Sequence, residues 1–281
     1  MADEGLPVQP ASRALHVAES GHYAWKDRPP STRTVRHAWP AEAIIGIHTA
    51  SRGTYGSRRV HAELALGLGI HVHHGTVELL MRRAGLHGLP GNRARRRPRP
   101  QTPSAADPVE RDFTRHARDQ LGVTDITEHP TTEGKVYCAV VLDAFARRVV
   151  GRPIDASPTA ALTTHALSTA IGNRRPQPDG TIIHSDHGVQ FGSWAFTERA
   201  RASGLLPSMG SIGGCVDNAM TESFWARVQG ELLNRRRWRT RLELSTALFE
   251  YLEIFHNRQR RHSALEMLTP VEYELRAAPV A

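Results

Sequence analysis

Apolar and polar positions change their spacing part-way along the chain. Downstream of residue 110, the segments "GVTDIT", "KVYCAVVLDAFA", "RRVVGRPID" and "GTIIHSD" are rich in β-branched residues and bounded by turn formers, which predicts strands. "SPTAALTTHALSTAIGNR", between the third and the fourth, predicts a helix with Ser157 as N-cap and Pro158 at its first position. "SWAFTERARASG" predicts another helix and "LLPSMG" a short strand, while "DNAMTESFWARVQGELL" predicts a long helix capped by Asp217 or Asn218. "RLELSTALFEYLEIFHNRQRR" closes the pattern as an amphipathic helix whose stripe is Leu244, Leu248, Tyr251, Leu252 and Phe255. Three antiparallel strands, a crossover helix and further strands imply an α/β fold, a mixed five-stranded sheet with helices packed on it.

Upstream the spacing is helical. "AEAIIGIHTAS" is a short helical pattern; Val60 and Leu64 lie one turn apart; Val77, Leu80, Met81 and Ala84 form a further stripe, and Gly67 and Gly69 break the chain before it. Two short helices joined by a glycine turn make a helix-turn-helix candidate, with Arg58, Arg59, Arg82 and Arg83 on outer faces where they meet phosphates. A plain helical bundle with solvated arginines fits the same periodicity. "GNRARRRPRPQTPSAADP" has arginines, prolines and no apolar period, so it reads as a linker. The expected organisation is a helical region at 1–90, a basic linker at 91–110 and an α/β domain at 111–281.

Charge adds a partner class. Among 281 residues, 36 are basic and 28 acidic, a net +8, and all but Lys26 and Lys135 of the basic ones are arginine. That excess favours a polyanionic partner without identifying it. It is uneven: residues 111–234 carry a net −1 between flanks of +6 and +3, as expected of a cation-dependent nuclease site facing a phosphate backbone. Two cysteines, Cys138 and Cys215, cannot build a disulfide framework or a four-thiolate zinc site, and neither a signal peptide nor a membrane span is legible. A soluble chain in the reducing cytoplasm, associated with the nucleoid and no membrane, is the expectation.

Acidic residues supply the candidate chemistry. Asp125 sits inside a strand, where aspartate is disfavoured, and Asp186 ends another, although a strand-end aspartate is also a common turn former. Glu222 follows Asp186 after 35 intervening residues, enough for a helix, a short strand and a loop that return the chain to the sheet edge. Were the three to meet, mutual repulsion would keep one protonated unless cations intervened. Two Mg²⁺ (or Mn²⁺) ions, which prefer oxygen ligands, would relieve it and support an in-line phosphoryl displacement. His184 and His187, poor Mg²⁺ ligands, are assigned to packing or supporting hydrogen bonds, and His71, His73 and His74 lack the partners a zinc site requires.

These residues resemble a family. "VTDITEHPTTEGKVYCAVVLDAFARRVVG", "HSDHGVQFGS", "DNAMTESFWARVQGEL" and "HNRQRRHSALEMLTPVEYE" are similar to the catalytic half of insertion-sequence transposases of the IS-three group, in the retroviral-integrase superfamily. "GHYAWKDRPPS" and "SRGTYGSRRVHAEL" resemble its N-terminal region. The resemblance implies an RNase H-like core, Asp125, Asp186 and Glu222 as metal-binding triad, and cleavage and strand transfer at the ends of a mobile element. It implies double-stranded DNA, as element ends and target, for partner, a homo-multimer on that DNA and, as an accessory partner, the product of an upstream reading frame. Asn218 and Gln229 join the four arginines as expected DNA contacts. Gly122 stands where the family has tryptophan, which implies a cavity; Gln229, His256 and Glu266 stand where it has a basic residue, a tyrosine and a glycine. A catalytically impaired DNA-binding remnant and a nuclease that never joins strands are the alternative readings.

Overall fold

A computed structural model describes residues 8–90, 115–186, 188–209 and 219–277. The linker, His187, Asp217 and Asn218 lie outside the described residues.

Five helices come first: α1 (Val8–Ala14), α2 (Glu19–Lys26), α3 (Thr32–Ala50), α4 (Ser57–Leu66) and α5 (His74–Arg83). The helix expected around Ile44 is longer than its apolar pattern. It begins after Ser31, whose hydroxyl accepts from the Thr34 amide at 3.2 Å, and it contains Pro40. The expected pair is α4 and α5; α5 is capped by His73, whose Nδ1 accepts from the Gly75 amide at 3.1 Å.

The sheet opens with a hairpin, β1 (Leu121–Thr131) against β2 (Gly134–Asp143), in register from Gly122 with Asp143 to Thr131 with Gly134. Gly134 has φ 121°, a value L side chains rarely adopt, so the turn requires glycine there. "RRVVGRPID" folds as two strands, β3 (Val149–Gly151) and β4 (Ile154–Asp155), both on β2. Pro153 has no amide hydrogen to give the ladder, which divides the run and makes the sheet six-stranded where five were expected.

α6 (Ala160–Arg174) crosses over to β5 (Thr181–Ser185), which pairs in parallel with β1, and α7 (Trp194–Ala202) leads to β6 (Leu205–Met209), parallel to β5. The cap of α6 is Thr159, accepting from the Leu162 amide at 3.3 Å. Ser157, expected in that role, instead accepts the Thr159 amide through its carbonyl at 3.0 Å, so Pro158 precedes the helix. α8 (Ala219–Glu231) and α9 (Arg241–Phe249) follow, the second running into a π-helical stretch, Glu250–Gln259, before α10 (Pro270–Ala277).

β2 is buried on both faces, which explains its nearly unbroken apolar run. Ala139 and Val141 face a cluster with Ile183, Leu162, Ala166 and Phe196. Val136, Cys138, Val140 and Leu142 face a larger one that joins Phe224 and Val228 of α8, the whole predicted stripe from Leu244 to Phe255, and Ile44, Val60, Leu64, Val77 and Met81 of the N-terminal helices. The helical region therefore shares a core with the C-terminal helices. Polar contacts reinforce the junction: the Tyr55 hydroxyl donates to the Gln259 carbonyl at 3.1 Å and accepts from the Arg261 amide at 2.7 Å.

Candidate active site

Parallel pairing of β1 with β5 aligns Thr124 with Ser185. Asp125 is the next residue inside β1 and Asp186 the first residue beyond β5, so the two lie near each other where β5 ends. Asp125 is largely buried, and its Oδ1 accepts from the Ile126 amide at 2.8 Å. Asp186 is exposed and its Oδ1 accepts from the Gly188 amide at 2.9 Å, so it forms the local turn as well. His184 is buried, with Nδ1 3.0 Å from the Ser208 hydroxyl across β5 and β6, a packing role as expected.

The third carboxylate comes from α8. Its buried side presents Thr221, Phe224, Trp225 and Val228, which leaves Glu222 exposed in the first turn. Thr221 reaches back to β1 and hydrogen-bonds the Asp125 side chain. The Asp125 carboxyl is pushed up to about 6: burial is the main cause, opposed by the Ile126 amide, and the negative charges of Asp186 and then Glu222 add to it, with Thr221 opposing. Both partners therefore act on Asp125. Three carboxylates with no basic group among those influences form a hard-oxygen donor set whose chemistry fits a divalent cation. In the arrangement seen, no three His, Cys, Asp or Glu side chains among the described residues converge closely enough to hold a metal ion.

The expected DNA-contact residues divide. Arg58, Arg82 and Arg83 are exposed, and so is Gln229, about two turns beyond Glu222 on the same side of α8. Arg59 is not on an outer face. It turns inward, Nη1 3.6 Å from Glu231 Oε1 and its guanidinium 5.8 Å from the Tyr55 ring centre. A buried carboxylate draws it there.

Thr221, Glu231 and Arg260 escaped the sequence reading. Their partners lie far along the chain, and a threonine or a charged residue in a helix carries no local signal of such a role. The departures at Gly122, His256 and Glu266 leave visible traces. A cavity of about 40 Å³ opens beside Gly122, walled by Val141, Leu167, Ile183 and Leu205. His256 is buried with Nε2 2.9 Å from the Arg147 carbonyl. Glu266 adopts φ 54°, the left-handed conformation that glycine takes more readily.

Comparison with known proteins agrees with this architecture. Integrase core domain models match residues 115–215 and 203–270, and an HTH-like domain model matches residues 40–97. The chain is 35% identical over 262 residues to the transposase for insertion sequence element IS629 of Shigella sonnei, covering 91% of this chain and 88% of that one. The chain belongs to the insertion-sequence transposases. Transposase InsF for insertion sequence IS3A of Escherichia coli K12 is 33% identical over 276 residues, 95% of this transposase and 93% of InsF. Among solved structures, the HTLV-2 integrase catalytic core domain in complex with magnesium is similar at 19% identity and TM-score 0.43, over 56% of this chain and 97% of that one. Among the described residues, no helix is long and apolar enough to cross a membrane.

Proposed function

We propose that this transposase cleaves DNA at the ends of an insertion sequence and joins those ends to target DNA, with Asp125, Asp186 and Glu222 as ligands of two Mg²⁺ or Mn²⁺ ions. The observation that carries this reading is the adjacency of Asp125, inside β1, and Asp186, just past the end of the parallel β5, with Glu222 of α8 acting on the same carboxyl. Bound divalent ions supply a more acidic attacking water or hydroxyl and support for the leaving oxygen. The chain's own part is positional. The buried start of β1 and its pairing with β2 fix the Asp125 backbone; Thr221 orients its carboxyl; and the first turn of α8 places Glu222 where the helix dipole favours an anion. Arg58, Arg82, Arg83 and Gln229, all exposed, bind DNA, while Arg59 is committed to Glu231. The protein acts as a multimer on DNA in the cytoplasm.

Labelled element ends incubated with target DNA and Mg²⁺ test this. Joined products are expected from the wild type, and Glu222→Gln is expected to lower their yield by at least about 100-fold. Hydrolysis without joining would leave a nuclease, and binding without either would leave a DNA-binding remnant. Calorimetric titration with Mn²⁺, compared between wild type and Asp186→Asn, reads metal binding apart from turnover.

A further inference from the structure

Beneath α8, on the side away from Glu222, guanidinium groups outnumber carboxylates. Glu231 is committed: its Oε2 accepts from the Tyr251 hydroxyl and from Arg260 Nε, both at 2.8 Å, and its Oε1 accepts from Arg260 Nη2 at 2.5 Å with Arg59 Nη1 at 3.6 Å. Arg227, one turn before Glu231, and Arg147, in the turn between β2 and β3, are half-buried, and the Arg147 charge acts on Arg227. The group is tied together by contacts: the Arg147 carbonyl is bound by His256, the His256 ring stands 5.1 Å from Phe224 of α8 and 4.9 Å from His262, and His262 follows Arg260 closely in sequence. The strongest charges acting on Arg227 are the cations Arg260 and Arg147, and the Glu231 carboxylate opposes them more weakly. Burial, with the charges of Arg260 and Arg147, pushes the Arg227 guanidinium down to about 10.

Donors here are also unfilled. Arg227 Nε, Arg260 Nη1 and His262 Nε2 are buried and make no hydrogen bond within the described protein. Arg260 is 1% exposed and His262 2%. Buried donors without acceptors are uncommon, and buried cations without counter-charge more so. Water would fill the donors but leave the excess of positive charge. An oxyanion satisfies both, since each of its oxygens accepts several hydrogen bonds.

We infer that Arg227, Arg260 and His262, flanked by Arg147 and Arg59, form a binding site for a phosphate-type oxyanion where the N-terminal helices meet α8 and the C-terminal segment. The occupant is either a DNA backbone phosphate reaching in past Arg227 or free inorganic phosphate. Only the DNA alternative rests on the function proposed above.

Thermal unfolding of the full chain, at constant pH and ionic strength with potassium chloride replaced by potassium phosphate, tests the site. A saturable rise of roughly 2–4 °C is expected at several-fold excess over Kd. The rise should be lost in Arg227→Gln and kept in Arg28→Gln, an exposed control. If Arg227→Gln fails to fold, Arg147→Gln should at least halve the shift. Salt dependence of duplex DNA binding, followed by fluorescence anisotropy without metal, separates the sources. A log–log slope reduced by about 0.9 in Arg227→Gln assigns the site to a DNA phosphate, and an unchanged slope with the thermal shift lost assigns it to the free anion. A phosphate shift of equal size in wild type and Arg227→Gln overturns the site, as does the absence of any shift together with an unchanged slope. Neither readout involves cleavage, so a failed strand-transfer assay leaves both outcomes intact.

Discussion

Thr221 and Asp125 are joined by a hydrogen bond between side chains that links the first turn of α8 to the middle of β1. The residue after Thr221 is Glu222, so this bond holds the backbone that carries Glu222 close to Asp125. Thr221 is fully buried, and a valine fills nearly the same volume.

Thr221→Val should therefore fold normally while metal-dependent DNA cleavage falls about 10-fold or more, since one hydrogen bond to a charged acceptor contributes roughly 1.5–3 kcal/mol. Thr221→Ser should retain most of the rate. Cleavage by Thr221→Val at the wild-type rate would show that the bond positions nothing that matters to the reaction.

The Asp125 carboxyl, raised to about 6 by burial and then by its acidic neighbours, makes metal-free stability depend on pH. A folded-state value above the unfolded one favours the protonated form. Its contribution is fully present below about pH 4 and disappears as pH rises through about 6. Asp125→Asn should thus stabilise the metal-free protein at pH 8 by about 2–3 kcal/mol and leave it nearly unchanged at pH 4. Urea unfolding at both values measures this; a gain of equal size at pH 4 would contradict it.

Gly122 faces a void much smaller than an indole. A Cβ built there lies 3.0 Å from Ile183 Cδ1 and 3.4 Å from Val141 Cγ1, and the adjoining cavity of about 40 Å³ lets the isoleucine tip yield. Gly122→Ala should stabilise by roughly 0.5–1 kcal/mol through lower chain entropy and better strand packing. Gly122→Trp should destabilise by more than about 1 kcal/mol, because the neighbours have closed in. Denaturant midpoints of the two variants should move in opposite directions.

The buried pair of Arg260 and Glu231 predicts strong non-additivity. Glu231→Gln strands a guanidinium that is 1% exposed and should cost about 3–5 kcal/mol. The double variant Glu231→Leu, Arg260→Met should lose less than either partner's single substitution. A double-mutant cycle by urea unfolding reads the coupling, and additive losses would argue against a true pair.

Much of the architecture was legible from spacing that repeats within a few residues. β-branched runs marked the strands, helical stripes marked α4 to α9, and the interval between Asp186 and Glu222 marked the carboxylates, because periodicity and capping act over one or two turns. Pro153 shows the limit of that reading: proline was visible, but whether it would end β3 depended on which side of β2 the chain was to pair. Ser157 and Thr159 both had capping hydroxyls, and only the path of the chain into α6 chose between them.

By itself, then, the amino-acid order marked most strands and helices from α4 onward and the mixed character of the sheet, and it singled out Asp125, Asp186 and Glu222 as candidates. The folded chain alone decided that Arg59 turns inward to Glu231, that Thr221 binds Asp125, and that the N-terminal helices share a core with the stripe from Leu244 to Phe255. Those choices depend on which side chains meet in a low-dielectric interior, where one unpaired charge outweighs any local propensity. Residues distant along the chain make that encounter, so no window of sequence contains it.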